Sequence, residues 1–151
     1  MASHPEQELD LQLCFALYSA SRAVTRTYAP LLAEAGLTYP QYVTLLALWE
    51  DPARSRSVGE LGERLHLDSG TLTPLLKRLA GLGYVTRARD ASDERRVLVT
   101  LTDEGLALRD RLAAVPRSFL ACRGLDPAAA GALRDQLTAR TASLEPVAGG
   151  A

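Results

Sequence analysis

The chain has 151 residues, 47% of them apolar and 23% charged, which is enough for one ordinary domain with a buried core. Its 17 lysines and arginines are balanced by 18 aspartates and glutamates, and the net charge of -1 argues against a uniformly basic nucleic-acid-binding protein. No apolar run approaches the roughly 20 residues that span a bilayer, and residues 1–10 do not resemble a signal peptide, so we expect a single-domain cytosolic protein.

The first predicted helix runs from Leu9 to about Ala35 and is very apolar. Its apolar residues occupy more than one helical stripe and are interrupted only by Pro30. A helix of this composition must be buried on several sides.

Two capping boxes predict the next two helices. Thr38 and Gln41 open a helix that runs to about Glu50, and Ser57 and Glu60 open a short third helix. The polar segment between these helices is predicted to be a loop.

A fourth helix begins at a cap formed by Asp68 or Ser69 and ends at the glycines of residues 81–83. Pro74 costs one backbone hydrogen bond if Asp68 is the cap, whereas a cap at Thr71 would place this proline in the first turn. The sequence therefore leaves two possible starts for this helix, about one turn apart.

The pattern then changes from helical to alternating, which predicts a β-hairpin. Apolar and polar residues alternate over residues 85–89 and 97–101, around a polar turn from Asp90 to Glu94.

Two helices are predicted after the hairpin. Thr102 caps one that reaches toward Cys122 despite Pro116. Asp126, followed by a proline, opens the last helix, which residues 145–146 end, and the tail beyond is expected to be disordered.

Two short capped helices followed by a hairpin have the layout of a winged helix-turn-helix. The fold is therefore predicted to be mainly α-helical with a small β-hairpin wing. Residues 68–96 contain six cations and four anions, so this segment is locally basic. A solvated charged surface would have the same balance, and charge alone leaves both interpretations open.

Side-chain chemistry favours nucleic-acid binding. Small hydroxyl side chains at the start of the fourth helix can approach base edges and phosphates closely. At the hairpin turn an arginine can enter a narrow minor groove while a nearby carboxylate orients its guanidinium. The residues predicted to contact DNA are Ser69, Thr71, Thr73, Lys77, Arg78, Arg87, Asp93, Arg95 and Arg96.

The stretch DERRVLVTLT, residues 93–102, resembles the wing signature of the MarR family of transcriptional regulators. The stretch LHLDSGTLTPLLKRLAGLGYVTRARD, residues 65–90, resembles the recognition helix and first wing strand of that family. The resemblance implies a homodimer formed by helices in residues 9–35 and 103–145, with a DNA-binding lobe at residues 38–102 that binds double-stranded operator DNA.

Cys14 and Cys122 are the two cysteines. A reducing cytosol disfavours a permanent disulfide, and two thiols do not make a four-ligand zinc site. Cys14 has no cation within one turn, and the predicted helix start lies two turns away, so by default it is a small buried apolar residue. A reactive thiolate would need hydrogen-bond donors such as tyrosine hydroxyls from elsewhere in the fold.

The stretch LQLCFALYSASRAVTRTYAPLLAEAGLTYPQYVTLLALWE, residues 11–50, resembles the organic hydroperoxide resistance regulators, a redox-sensing branch of the MarR family. This resemblance implies that Cys14 reacts with organic hydroperoxides and that Tyr28 and Tyr39 of the partner subunit donate hydrogen bonds to it. Cys122 resembles a resolving cysteine, which implies a sulfenic acid at Cys14 followed by an intersubunit disulfide. Oxidation would then release the operator of a peroxide-detoxification gene.

Two other functions stay open. A MarR regulator released by a small phenolic or lipophilic ligand would use Cys14 only for packing. A thiol peroxidase would begin its cycle with the same reaction, although no stretch resembles the catalytic loops of such enzymes. We predict a repressor and not an enzyme, without a cofactor or a metal, because His4 and His66 are isolated.

Overall fold

This computed structural model describes residues 4–144, which contain seven α-helices and three β-strands. The helices are α1 Leu13–Leu32, α2 Tyr39–Trp49, α3 Val58–Leu65, α4 Ser69–Gly81, α5 Asp103–Arg111, α6 Val115–Cys122 and α7 Pro127–Leu144. The strands are β1 Ser55–Ser57, β2 Val85–Arg89 and β3 Val97–Leu101. The chain divides into two units, Met1–Val115 and Pro116–Ala151. None of the described helices combines the length and apolar composition that a bilayer crossing needs.

The core of the first unit consists mainly of leucines that α2 to α5 direct inward. Their full burial removes apolar surface from water and is the main stabilising contribution to this unit. The fully buried leucines of these helices are Leu45, Leu48, Leu61, Leu72, Leu76, Leu79 and Leu108.

The three strands form one antiparallel sheet in the order β1-β3-β2. The predicted hairpin is confirmed, with Val85 paired to Leu101 and Arg89 to Val97. The predicted loop before α3 is partly wrong, because β1 pairs with the other edge of β3, Ser57 opposite Leu98. Three residues are too short to show an alternating pattern, and β1 forms because the edge of β3 has unpaired backbone groups.

Both predicted capping boxes form. Gln41 Oε1 accepts the backbone N–H of Thr38 at 2.9 Å. Ser57 Oγ accepts the N–H of Glu60 at 3.2 Å, and Glu60 Oε2 accepts the N–H of Ser57 at 2.7 Å. The starts of α2 and α3 were therefore readable from local chemistry alone.

The start of α4, which the sequence left open, is fixed by Asp68. Its Oδ1 accepts the backbone N–H of Thr71 at 2.8 Å, so Pro74 lies inside the helix. The helix ends at Gly81, and Gly83 adopts the left-handed conformation with φ of 80°, as the glycines predicted.

The first helix begins later than predicted. A short 3-10 turn occupies Leu9–Leu11, Gln12 is extended, and α1 begins at Leu13. The prediction of burial on several sides is not met within one chain, because the described residues of α1 that are buried are Thr27, Tyr28 and Leu32, all near its end.

The single helix predicted from Thr102 toward Cys122 is two helices, α5 and α6. The ring of Pro116 would clash with the carbonyl of Leu112 in a continuous helix, whereas near the start of α6 its missing N–H costs nothing. The cap of the last helix is confirmed, since Asp126 Oδ2 accepts the N–H of Ala129 at 2.9 Å. The predicted end at residues 145–146 and the tail beyond lie outside the described residues.

Gly105 joins the wing to α5 and to the core. Its N–H donates to Thr102 Oγ1 at 3.0 Å, and its carbonyl accepts the indole N–H of Trp49 at 2.9 Å. A Cβ at this position would overlap the backbone carbonyl of Tyr84. No side chain larger than hydrogen fits without moving the wing strands away from α5.

Replacing Gly105 with alanine is expected to destabilise the fold by about 1–3 kcal/mol, because the new methyl group meets backbone that has little room to move. The free energy of unfolding in urea measures this. Gly81→Ala is the matched control, because nothing lies within 4 Å of a Cβ at that helical position. Equal stability of the two variants would contradict the assigned junction.

Candidate nucleic-acid interface and thiol site

The exposed face of α4 presents hydroxyls at its start and cations in its second half. Ser69, Thr71, Lys77 and Arg78 are exposed and Thr73 is half-buried, because the leucines of α4 face the core. The Thr71 hydroxyl donates to the carboxylate of the preceding cap at 2.9 Å, so it can only accept a further hydrogen bond.

The turn of the hairpin shows a different contact from the one predicted. Asp93 Oδ1 accepts the backbone N–H of Arg95 at 3.1 Å, so this carboxylate shapes the turn and does not orient the guanidinium. The Arg95 guanidinium has no ion pair or hydrogen bond within residues 4–144. It is therefore free to contact an external anion.

Arg96, the neighbouring cation, is already paired. Its Nη2 lies 3.3 Å from Glu60 Oε1 and its Nη1 lies 3.8 Å from Asp90 Oδ2. The pKa of Glu60 is lowered, chiefly by the hydrogen bonds from Ser57 and to a smaller extent by Arg96. Sequence reasoning assigned Glu60 only to a helix cap, since no local pattern connects it to a residue in the hairpin.

An open groove of about 530 Å³ lies between α3, the start of α4 and the hairpin. Thr73, Arg87, Arg95 and Arg96 line it together, so the fold brings four of the predicted residues to one place. Arg87 Nε is buried without a hydrogen-bond partner in the described chain. Lys77 and Arg78 also lack an ion pair among the described residues. Such unpaired cations suit a phosphate backbone.

Cys14 is exposed and is the second residue of α1. The expectation that it lies two turns inside a helix is wrong, because the chain before Leu13 is not α-helical. An exposed thiol is accessible to a peroxide, whereas a thiol buried in the core is not. The fold thus supplies a feature that the sequence did not predict.

The tyrosines predicted to act on this thiol form an aromatic cluster with a third. The ring centroid of Tyr28 lies 4.6 Å from that of Tyr39 and 6.0 Å from that of Tyr42. Burial raises the pKa of Tyr28 to about 12, and burial also raises the pKa of Tyr39 and Tyr42. All three hydroxyls therefore keep their protons near neutral pH and can act as donors.

Cys14 and Tyr28 are far apart in one chain. Both belong to α1, and fourteen residues of continuous helix separate them by about 21 Å along the axis. The tyrosine cluster can therefore approach Cys14 only from a second copy of the chain.

The remaining predicted residues are placed as follows. Cys122 is an exposed free thiol at the end of α6. Tyr42 and Trp49 are buried in the core, and the indole N–H of Trp49 also donates to the carbonyl of Gly105 in α5. His4 Nδ1 lies 3.2 Å from Glu6 Oε1, and no cluster in the described residues has three groups able to hold a metal ion.

Comparison with known proteins assigns the chain to a class. The family described as "Transcriptional regulator SarA/Rot" matches residues 26–112. HTH-type transcriptional regulator TtmR of Methylorubrum extorquens is 50% identical over 146 residues, 92% of this chain and 74% of that protein. The organic hydroperoxide resistance transcriptional regulator of Bacillus subtilis is 48% identical over 113 residues, 75% of this chain and 76% of that protein.

Solved structures of AbfR, a protein of Staphylococcus epidermidis, show the same fold. Reduced AbfR bound to DNA superposes with a TM-score of 0.75 at 34% identity, covering 92% of this chain and 96% of that one. Disulfide-formed AbfR superposes with a TM-score of 0.62 at 34% identity, covering 92% and 91%.

The winged-helix layout of the first unit and the match over residues 26–112 agree with each other. The relatives are transcriptional regulators, which confirms the prediction of a regulator over that of an enzyme. The chain belongs to the SarA/Rot family of MarR-like transcriptional regulators.

Proposed function

We propose that this chain is a homodimeric repressor that binds double-stranded operator DNA and leaves it when an organic hydroperoxide oxidises Cys14. The observation that supports this most is the exposed thiol in the first turn of α1, in a chain 48% identical to an organic hydroperoxide resistance transcriptional regulator. The regulated gene would encode a peroxide-detoxifying protein.

Dimerisation is supported by apolar side chains that one chain leaves in water. Leu13 of α1 is 71% exposed and Tyr18 is 57% exposed, while Leu133 of α7 is 56% exposed. Large apolar side chains exposed on α1 and on α7 are typical of surfaces that bind another chain. A second copy of the chain would cover it through the segments at residues 9–35 and 103–145.

The same pairing would complete the thiol site. Two copies of α1 packed antiparallel would place Cys14 of one subunit beside Tyr28 and Tyr39 of the other. Their protonated hydroxyls would donate hydrogen bonds to the thiolate and favour its formation.

Oxidation would proceed in two balanced steps. The Cys14 thiolate attacks the outer oxygen of the hydroperoxide and the O–O bond breaks, so the sulfur gains this OH group as sulfenic acid. The alkoxide that leaves takes a proton from water and becomes an alcohol. The Cys122 thiol of the other subunit then displaces water from this sulfur and forms a disulfide. The disulfide requires Cα atoms within about 7 Å, and closing it would change the spacing of the two wings. The disulfide-formed state of AbfR supports such a step in this fold.

DNA would be bound by α4 in the major groove and by the wing turn in the minor groove. Ser69, Thr71 and Thr73 would approach bases or phosphates, Lys77 and Arg78 would contact phosphates, and Arg95 would enter the minor groove.

Arg95 and Arg96 should differ in DNA binding although they are neighbours. Arg95→Ala is expected to weaken binding by roughly 1–3 kcal/mol. Arg96→Ala should cost less, because Glu60 and Asp90 already neutralise this cation. Lys77→Ala should reduce the slope of the logarithm of the binding constant against the logarithm of the salt concentration by about one unit. Fluorescence anisotropy on the promoter fragment beside the gene measures all three, and unchanged affinity and slope for Arg95→Ala and Lys77→Ala would refute the assigned interface.

The two thiols should respond unequally to cumene hydroperoxide. Cys14→Ser should bind the promoter and ignore the peroxide, because it lacks the attacking sulfur. Cys122→Ser should leave DNA but recover incompletely with dithiol after excess peroxide, because its sulfenic acid over-oxidises. Wild type should give a reducible covalent dimer on a non-reducing gel. Release of Cys14→Ser by the peroxide would favour the ligand-gated alternative.

Removing the hydroxyls of Tyr28 and Tyr39 should slow the oxidation of Cys14 without unfolding the protein. Tyr28→Phe and Tyr39→Phe keep the ring volume, so thermal unfolding should change little while peroxide oxidation of Cys14 slows. Stopped-flow measurement of thiol loss follows the rate. Tyr84→Phe, which removes a hydroxyl that donates to the carbonyl of Ala35 outside the proposed thiol site, is the control. Wild-type rates in Tyr28→Phe and Tyr39→Phe would exclude these hydroxyls as donors.

A further inference from the structure

A second open cavity, of about 370 Å³, lies at the base of the wing. It is formed by the end of α2, the loop before β1, the last residue of β3 and two residues of α5, Leu106 and Arg109. Leu101 lies at the end of β3 that is remote from the hairpin turn, so the cavity is separate from the proposed DNA-binding face. Its size is that of a small-molecule site.

The two acidic residues of the cavity are neutralised by cations outside it. Glu50 receives a two-point hydrogen bond from Arg64, with Arg64 Nη2 2.9 Å from Glu50 Oε1. Asp51 Oδ2 lies 3.4 Å from Arg56 Nε. Neither carboxylate is therefore left to neutralise the cations that line the cavity.

Two arginines that line the cavity have no acidic partner among the described residues. The guanidinium groups of Arg54 and Arg109 have no ion pair or hydrogen bond in the part of the chain that is described. The backbone of Arg54 is held in place, since its N–H donates to Asp51 and its carbonyl accepts the N–H of Leu101, each at 2.9 Å. It keeps the left-handed φ of 56° that a residue other than glycine rarely adopts. The loop thus holds the backbone of Arg54 in place at the cavity.

The rest of the lining is apolar. Trp49 is 8% exposed, Leu101 is 8% exposed and Leu106 is half-buried, and all three contribute to the wall. A ligand that satisfies both parts of the lining needs an anionic head and an apolar body.

We propose that this cavity is a binding site for a small carboxylate with a short apolar chain or ring. The carboxylate pairs with Arg54 and Arg109, and the apolar part lies against Trp49, Leu101 and Leu106. Planar guanidinium groups suit carboxylates through two-point hydrogen bonds. The site uses neither cysteine, so the test of this proposal is independent of the proposed peroxide response.

The chain has a single tryptophan, and because it lines the cavity its fluorescence reports occupancy. Hexanoate, which does not absorb near the tryptophan band, is titrated into the full-length reduced protein. We expect a saturable fluorescence change with a Kd of about 1 mM or tighter. The neutral counterpart 1-hexanol should bind at least about tenfold more weakly, because it lacks the charge that pairs with arginine.

Arg54→Gln and Arg109→Gln should each weaken hexanoate binding about tenfold or more, while thermal unfolding and promoter binding stay at the wild-type level. Two variants on separate elements guard against one that fails to fold. Arg111→Gln is the matched control in α5, because this arginine pairs with Glu104 at 3.2 Å outside the cavity. It should bind hexanoate as wild type does.

Three results would overturn the proposal. Hexanoate could give no saturable change, 1-hexanol could bind as tightly as hexanoate, or both arginine variants could bind hexanoate like wild type. Loss of promoter affinity in Arg54→Gln and Arg109→Gln without hexanoate binding would assign these cations to a DNA contact instead.

Discussion

The continuous helix α1 imposes the central constraint on this protein. It separates Cys14 from Tyr28 by about 21 Å, so a thiol site that uses both groups needs two chains. The distribution of apolar side chains agrees with that requirement, because the first half of α1 leaves Leu13 and Tyr18 in water while its last turns are buried. Burial of this surface by a second copy would stabilise the dimer and assemble the site in the same step.

Charge pairing separates the cations of the first unit into two groups. Arg96 is held by Glu60 and Asp90 and thereby fixes the base of the wing turn to α3. Arg95, one residue earlier, has no such partner in the described residues and lines the groove between α3, the start of α4 and the hairpin. A net charge of -1 thus coexists with a locally cationic surface, because most acidic groups near it are already used in caps and ion pairs.

Local chemistry predicted most of the fold. The caps at Thr38, Ser57, Thr102 and Asp126 and the alternating strands were all found where the sequence placed them. Strand β1 was missed because its formation depends on the edge of β3, which is distant in the sequence.

The candidate site was only partly predictable. The residues were named from their types and from resemblance, but their contacts depend on tertiary structure. The position of Cys14 in the first helical turn depends on the extended residue Gln12, which separates the 3-10 turn from α1, and the apolar pattern of the sequence continues across that point. The pairing of Glu60 with Arg96 joins residues on different elements, and no spacing rule connects them.

Mixed dimers test the central claim, that each thiol site is built from two subunits. One dimer pairs a Cys14→Ser subunit with a Tyr28→Phe, Tyr39→Phe subunit; the other pairs a wild-type subunit with one that has all three changes. Each retains one Cys14, and stopped-flow measurement gives its rate of oxidation by cumene hydroperoxide. The account predicts the wild-type rate in the first dimer, where Cys14 meets intact tyrosines of its partner, and a slow rate in the second. A slow first dimer and a fast second dimer would place the donors in the same chain as the thiol and contradict the account.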